Sequence, residues 1–199
     1  MRTHWMPRFL CAVVVLVGGA GLASGASDAT LKNLQAAFNG ESNARARYLA
    51  FAKKADEEGY GGVASLFRAA ARAEEIHLNN HAAVIKKMGA EPRADIRTPA
   101  VGTTKSNLVK SASKGEAYER DTMYPAFIKQ AKSDGNQDAV QSFEYAKEAE
   151  AEHFKLFTAA AHPLRKGETR EYFVCTVSGY TMAELDTTKC PGGTYETVK

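Results

Sequence analysis

The sequence predicts an all-α fold: an antiparallel four-helix bundle with a crossover between its second and third helices, followed by a small β-rich tail. Three observations predict it. Four long segments repeat apolar residues at alternating steps of three and four. Gly-containing turns close the first and third, whereas a longer stretch with Pro92 and Pro99 follows the second. After Pro163 the composition shifts to Gly, Thr, Cys and Tyr.

The first helix is expected from about 28 to 58, stopped by Gly59-Tyr60-Gly61-Gly62. Its inward stripe reads Leu34, Phe38, Glu41, Arg45, Tyr48 and Ala52. The second is expected from about 63 to 88 and ends at Gly89, the residue type best suited to a helix C-terminus. The third spans about 105 to 133, up to Asp134-Gly135-Asn136, and the fourth about 137 to 161, up to Pro163. Two short links with one longer link between them suit two antiparallel hairpins joined by a crossover. Residues 164–199 carry turn signals at Ser178-Gly179 and Pro191-Gly192-Gly193 and form the tail.

Ahead of the bundle, Arg2, His4 and Arg8 precede an apolar run from Phe9 to Val17, and small residues follow to Ser24-Gly25-Ala26. That layout predicts a secretory signal peptide over 1–26, cleaved after Ala26, and an exported protein of the bacterial periplasm. The alternative, an uncleaved anchor, suits the short run less well, since a bilayer core is about 30 Å thick. Without residues 1–26 the chain loses Arg2 and Arg8 and keeps every acid, leaving 24 Lys and Arg against 23 Asp and Glu. Near-neutrality gives no case for nucleic-acid binding. Two cysteines remain, Cys175 and Cys190, which could pair in an oxidising compartment.

Every helix puts acid on its apolar stripe. The second carries Glu74 and His77 among Val63, Leu66, Phe67, Ala70, Val84 and Met88. The third carries Glu116 and Glu119 among Leu108, Ala112, Met123 and Phe127, and the fourth Glu150 and His153 among Val140, Phe143, Ala146 and Phe157. A lone carboxylate in a low-dielectric core is protonated or destabilises the fold by several kcal/mol. Five converging on one layer need cations, and two iron ions supply charges of +4 to +6 against −5. Carboxylate and imidazole ligands without thiolate suit Fe, with Mn as the alternative. A Glu from each of two helices and a Glu-x-x-His pair from each of the others is the ligand pattern of ferritin-like di-iron bundles. Here the pairs are Glu74-Glu75-Ile76-His77 and Glu150-Ala151-Glu152-His153. Glu75, Glu148 and Glu152 fall off the stripe and are expected in solvent. His81, one turn past His77, is expected beside the ligands or exposed rather than ligating. Tyr48 and Tyr124 are expected in the core, either packing alone or hydrogen-bonding a ligand carboxylate.

With these residues placed, the chain resembles rubrerythrin. The matching stretches are Gly40-Glu41-Ser42-Asn43-Ala44-Arg45-Ala46-Arg47-Tyr48, Ala73-Glu74-Glu75-Ile76-His77, Gly115-Glu116-Ala117-Tyr118-Glu119 with Met123-Tyr124-Pro125, and Glu150-Ala151-Glu152-His153. They cover about residues 28–162. The resemblance implies a ferritin-like di-iron bundle over 27–163, homodimeric, with Glu41, Glu74, His77, Glu116, Glu119, Glu150 and His153 as ligands. It also implies reduction of hydrogen peroxide to water. The tail resembles the family's rubredoxin domain, yet each Cys-x-x-Cys knuckle keeps only its first cysteine: Ser178 and Gly193 stand where the second would be. Two thiols cannot build a four-cysteine iron site, so none is expected in 164–199, and an external electron-donor protein is expected instead. Cys175 and Cys190, at positions that converge on one metal in the parent domain, are expected to form a disulfide, with two free thiols as the alternative. Two rival functions are oxidation and handling of Fe(II) with dioxygen, and a non-catalytic relic.

Overall fold

The computed structural model describes Met1 and residues 24–199, so the expected leader, 1–26, lies almost entirely outside the described residues. Four long helices make the bundle. Helix α1 (Ser24–Glu57) and helix α2 (Gly61–Lys87) form the first hairpin. The third long helix is composite: α3 (Thr104–Lys110), π-helical turns at Ser111–Glu116 and Glu119–Met123, and α4 (Tyr124–Ser133) run on without a break. Helix α5 (Gln137–Ala161) completes the second hairpin. No described helix is long and apolar enough to cross a membrane.

Local chemistry sets the boundaries. Gly89 adopts φ +81° just past α2, a left-handed turn that a Cβ would strain. Thr103 caps α3 by accepting from the Ser106 amide, and Asn136 caps α5 by accepting from the Ala139 amide. Pro125 lies in the first turn of α4, where its missing N–H is tolerated, directly after the second π-helical segment has shifted the hydrogen-bond ladder.

The crossover has a partner the periodicity does not reveal. Gln35, Asn39 and Asn43 stand four apart on α1 and hold residues 91–97 as a ladder would. The Gln35 and Asn43 amides donate to the Glu91 and Asp95 carbonyls, and the amides of Arg93, Asp95 and Arg97 donate back to Gln35, Asn39 and Asn43. On α1 the structure also corrects the expected stripe: Arg45 is partly exposed and pairs with Glu75, and Ala37, Ala44 and Phe51 fill the buried face. The long guanidinium has a carboxylate within reach at the surface, which burial would forfeit.

Two apolar clusters fill the bundle, one toward each end. Tyr48, Phe51, Phe67, Leu108 and Phe157 anchor the first, and Leu34, Ile85, Tyr124 and Phe143 the second. Along every helix the acids and histidines fall between the two, so the core is interrupted by a polar layer.

The tail forms a three-stranded antiparallel sheet, β1 (Tyr172–Cys175) between β2 (Thr181–Met182) and β3 (Tyr195–Val198). It packs on the bundle: Tyr172 and Val174 join the first apolar cluster, and Arg72 holds Glu196 through two hydrogen bonds of 2.6 and 2.8 Å. Cys175 and Cys190 are joined by a disulfide. A Cβ at position 193 would lie 2.7 Å from Cys190 Sγ and 2.7 Å from Val177 Cγ2, so only glycine fits beside that bridge.

Candidate metal centre

Six of the seven expected ligands meet in the polar layer, each at most 1% exposed. Glu41, Glu74, His77 and Glu150 bring one ligand atom each within 4.8 Å of one another, and so do Glu74, Glu116, Glu150 and His153. Glu74 and Glu150 belong to both groups. The layer therefore offers two adjacent sites with two shared carboxylates, a Glu and a His completing each.

Glu119 stands outside both groups and is partly exposed. Residues three apart share a face on an α-helix, but here Glu116 ends one π-helical turn and Glu119 opens the next. The wider turns change the angular step between the two residues, and Glu119 joins neither group, although its carboxyl still feels the charges of Glu41, Glu150 and Glu116. Glu119 lines a cavity of about 400 Å³ with Asn39, Asn43, Arg47 and Arg97, and a second of about 280 Å³ with Arg47, Lys110 and Lys114.

The residues fit a pair of metal ions on three grounds. First, Glu41 Oε2, Glu74 Oε1, Glu116 Oε2 and Glu150 Oε1 are buried and have no hydrogen-bond donor. Such orphaned oxygens are costly unless a cation takes them. Second, Nδ1 of His77 lies 3.0 Å from Glu74 and 3.2 Å from Glu150, and Nδ1 of His153 lies 2.9 Å from Glu150. Nε2 of His77 meets the Ser178 carbonyl at 3.1 Å, an oxygen that only accepts, so Nε2 carries a proton and Nδ1 points its lone pair at the carboxylates in the neutral ring. Third, the donor set is all oxygen and imidazole, as Fe or Mn prefers.

Electrostatics repeats the point. Burial first, then the charges of Glu150 and its fellow carboxylates, push the Glu74 and Glu116 carboxyls well above the ordinary range. Glu119 is partly exposed as a residue, yet its carboxyl is raised by its own burial and by the charges of Glu41 and Glu150, against Arg47. Burial opposes ionisation of Glu41, but the neighbouring His81 and His77 rings outweigh it and this carboxyl alone goes down, to about 2. Burial lowers His153 to about 4; it opposes protonation of His77 too, but Glu150 and Glu41 raise that ring. The protein alone cannot hold all the negative charge of this layer.

The surroundings are ordered hydrogen bonds. Tyr48 donates to Glu116 and Tyr124 to Glu41. His81, expected beside the ligands or exposed, is fully buried: Nε2 faces the Tyr124 hydroxyl at 3.2 Å and Nδ1 faces Ser142 Oγ at 2.7 Å. Ser142 in turn lines a surface cavity of about 280 Å³ with Asn80, Asp138 and Tyr145. Of the acids expected in solvent, Glu75 pairs with Arg45 and Arg72, and Glu152 with Lys155. Two contacts escape sequence reasoning altogether: Ser178 on His77, and Thr181 Oγ1 at 3.1 Å from His153 Nε2. No helical period links a turn in the tail to a ring in the bundle.

A family model described as Rubrerythrin matches residues 32–161. The chain is 40% identical over 165 residues to nigerythrin of Nitratidesulfovibrio vulgaris, covering 81% of this chain and 80% of that protein. It is 30% identical over 161 residues to rubrerythrin-2 of Clostridium acetobutylicum, covering 79% and 88%. Among solved structures, mixed-valent nigerythrin superposes with a TM-score of 0.77 at 38% identity, over 84% of this chain and 86% of that one. A bacterioferritin of Desulfovibrio desulfuricans, at 23% identity, 72% and 84% coverage and a TM-score of 0.65, shares the bundle fold.

Proposed function

This chain belongs to the rubrerythrin family, and on that premise we propose that it is an exported, homodimeric di-iron peroxidase that reduces hydrogen peroxide to water with electrons from an external donor protein. The observation that carries the reading is the pair of adjacent four-residue sites sharing Glu74 and Glu150 in a dry layer. When bound, two iron ions would supply the two electrons that cleave the O–O bond. Everything else falls to the chain. Glu74 and Glu150, common to both groups, would help to hold both metals, Glu41 and His77 one of them, and Glu116 and His153 the other. Tyr124 and Tyr48 fix Glu41 and Glu116 in place by donating to them. Glu119 is the carboxylate with freedom to move, and the cavity it shares with Arg47 is the approach for substrate.

Forming two waters consumes two protons in a site that excludes solvent. The chain from Ser142 through His81 and Tyr124 to Glu41 spans from a surface cavity to the ligand set and is the route we assign to them. His81→Leu is expected to slow oxidation of the reduced centre by about tenfold or more with iron content unchanged, since proton delivery by a placed side chain contributes on the order of 10²-fold. Stopped-flow absorbance on equal iron loadings measures it, and an unchanged rate would remove His81 from the route.

The activity itself is tested anaerobically with reduced, iron-loaded protein. Rapid oxidation by one hydrogen peroxide per two irons, much faster than by dioxygen, is the expected result. Turnover no faster than in Glu74→Ala, or dioxygen as the better oxidant, would defeat the proposal and favour iron handling.

A further inference from the structure

Both histidines of the centre turn their second nitrogen to the tail. His77 Nε2 meets the main-chain carbonyl of Ser178, and His153 Nε2 meets the side chain of Thr181, at 3.1 Å each. Thr181 is fully buried, and its Oγ1 also lies 3.1 Å from the Gly179 carbonyl. A hydroxyl has one proton and two lone pairs, whereas a carbonyl only accepts.

Resting on the di-iron reading above, we propose that Thr181 is a positioning residue for the centre: its hydroxyl gives its proton to the Gly179 carbonyl and accepts the Nε2 proton of His153, leaving Nδ1 as the nitrogen that binds metal. The alternative tautomer puts the proton on Nδ1, where Glu150 Oε2 at 2.9 Å takes it and the metal position is blocked. Thr181 stabilises the binding tautomer and fixes the plane of the ring, a role that outer partners of metal-bound histidines commonly fill.

The tail is built to hold this hydroxyl still. Thr181 pairs with Val174 across β1 and β2, and the Cys175 amide donates to the Tyr180 carbonyl at 2.9 Å. The Gly179 amide donates to the Cys175 carbonyl, and the disulfide ties Cys175 to Cys190. Asn80, one turn along α2 from His77, donates to the Val177 carbonyl and clamps the same turn to the bundle. A segment whose two cysteine knuckles are incomplete thus remains as a wall of the metal centre.

The test uses zinc, which is redox-silent and diamagnetic, on the full disulfide-bonded chain. Thr181→Val keeps the shape and the strand preference but removes the lone pair; Thr181→Ser keeps the hydroxyl. Competition with a chelator is expected to show one of the two zinc sites weakened about 10- to 100-fold in Thr181→Val and near wild type in Thr181→Ser. NMR of the zinc-loaded protein is expected to show two exchange-protected imidazole Nε2 protons in the wild type and in Thr181→Ser. In Thr181→Val the His153 proton loses protection and the His77 proton keeps it. Zinc affinity of Thr181→Val within twofold of wild type, or both protons still protected, would overturn the assignment, as would a Thr181→Ser protein as weak as Thr181→Val. Should valine disturb the tail amide spectrum, Thr181→Ala against Thr181→Ser decides on the same readouts. A wild type that shows this zinc behaviour but leaves peroxide unreduced when iron-loaded defeats the activity and leaves the role of Thr181 standing.

Discussion

Glu74→Gln is expected to abolish metal binding at both sites and, at the same time, to stabilise the metal-free fold. Glu74 is shared by the two ligand groups, so its loss removes a ligand from each. In the metal-free protein the same carboxyl is a liability, fully buried among Glu41, Glu116 and Glu150 and raised well above its ordinary range by burial and then by those charges. Neutral glutamine removes the charge, and its amide can donate to His77 Nδ1 where Glu74 Oε2 now stands at 3.0 Å. Replacing a poorly compensated buried charge by a neutral group stabilises by about 1–3 kcal/mol. Thermal unfolding after chelation measures it: the variant should unfold several degrees above the metal-free wild type. With iron present the order should reverse, because metal stabilises only the wild type.

The pH dependence of the metal-free wild type follows with a definite sign. Glu74, Glu116, Glu119 and His77 have raised folded-state pKa values, so the fold holds their protons more tightly than the unfolded chain does. Their contribution is present below the unfolded values and is lost as pH rises through the folded ones. Glu41 at about 2 and His153 at about 4 act oppositely, but their contributions are complete by about pH 6.5. Above that pH the metal-free protein should lose stability as pH climbs, and Glu74→Gln should flatten the slope. A wild type whose chelated form is most stable at pH 8 would contradict the buried-charge account.

Gly179→Ala is expected to lift the tail from the bundle. Gly179 sits at φ +75°, and a Cβ there would lie 2.5 Å from His77 Nε2 and 3.1 Å from the Ala73 carbonyl. Neither neighbour can retreat: the ring is packed in the polar layer and the carbonyl belongs to α2. Backbone strain and overlap together should cost about 2 kcal/mol or more. Faster hydrogen exchange over 172–198 and weaker metal retention should accompany the loss. Gly192→Ala is the control, since Gly192 has φ +79° but nothing within 4 Å of its would-be Cβ, and backbone strain alone should cost about 1 kcal/mol. Equal effects of the two substitutions would show that the tail does not bear on His77.

What the sequence determined by itself is what periodicity and buried charge can express. Acids and histidines at core positions of four helices were enough to place Glu41, Glu74, His77, Glu116, Glu150 and His153 in one layer, because a charge on an apolar stripe must find a partner wherever the helix packs. The bundle, its crossover and the β-rich tail followed from spacing and turn residues alone. Tertiary structure decided the rest. It left Glu119 outside both ligand groups, where π-helical turns change a register that an α-helical count assumes. It buried His81 between Ser142 and Tyr124 and moved Arg45 outward to Glu75, since both outcomes depend on which neighbour stands across a helix interface. Above all it brought Ser178, Gly179 and Thr181 onto His77 and His153, contacts between residues 28 to 102 positions apart that no local pattern encodes. A helix announces the face it buries; it does not announce what will cover the far side of a histidine ring.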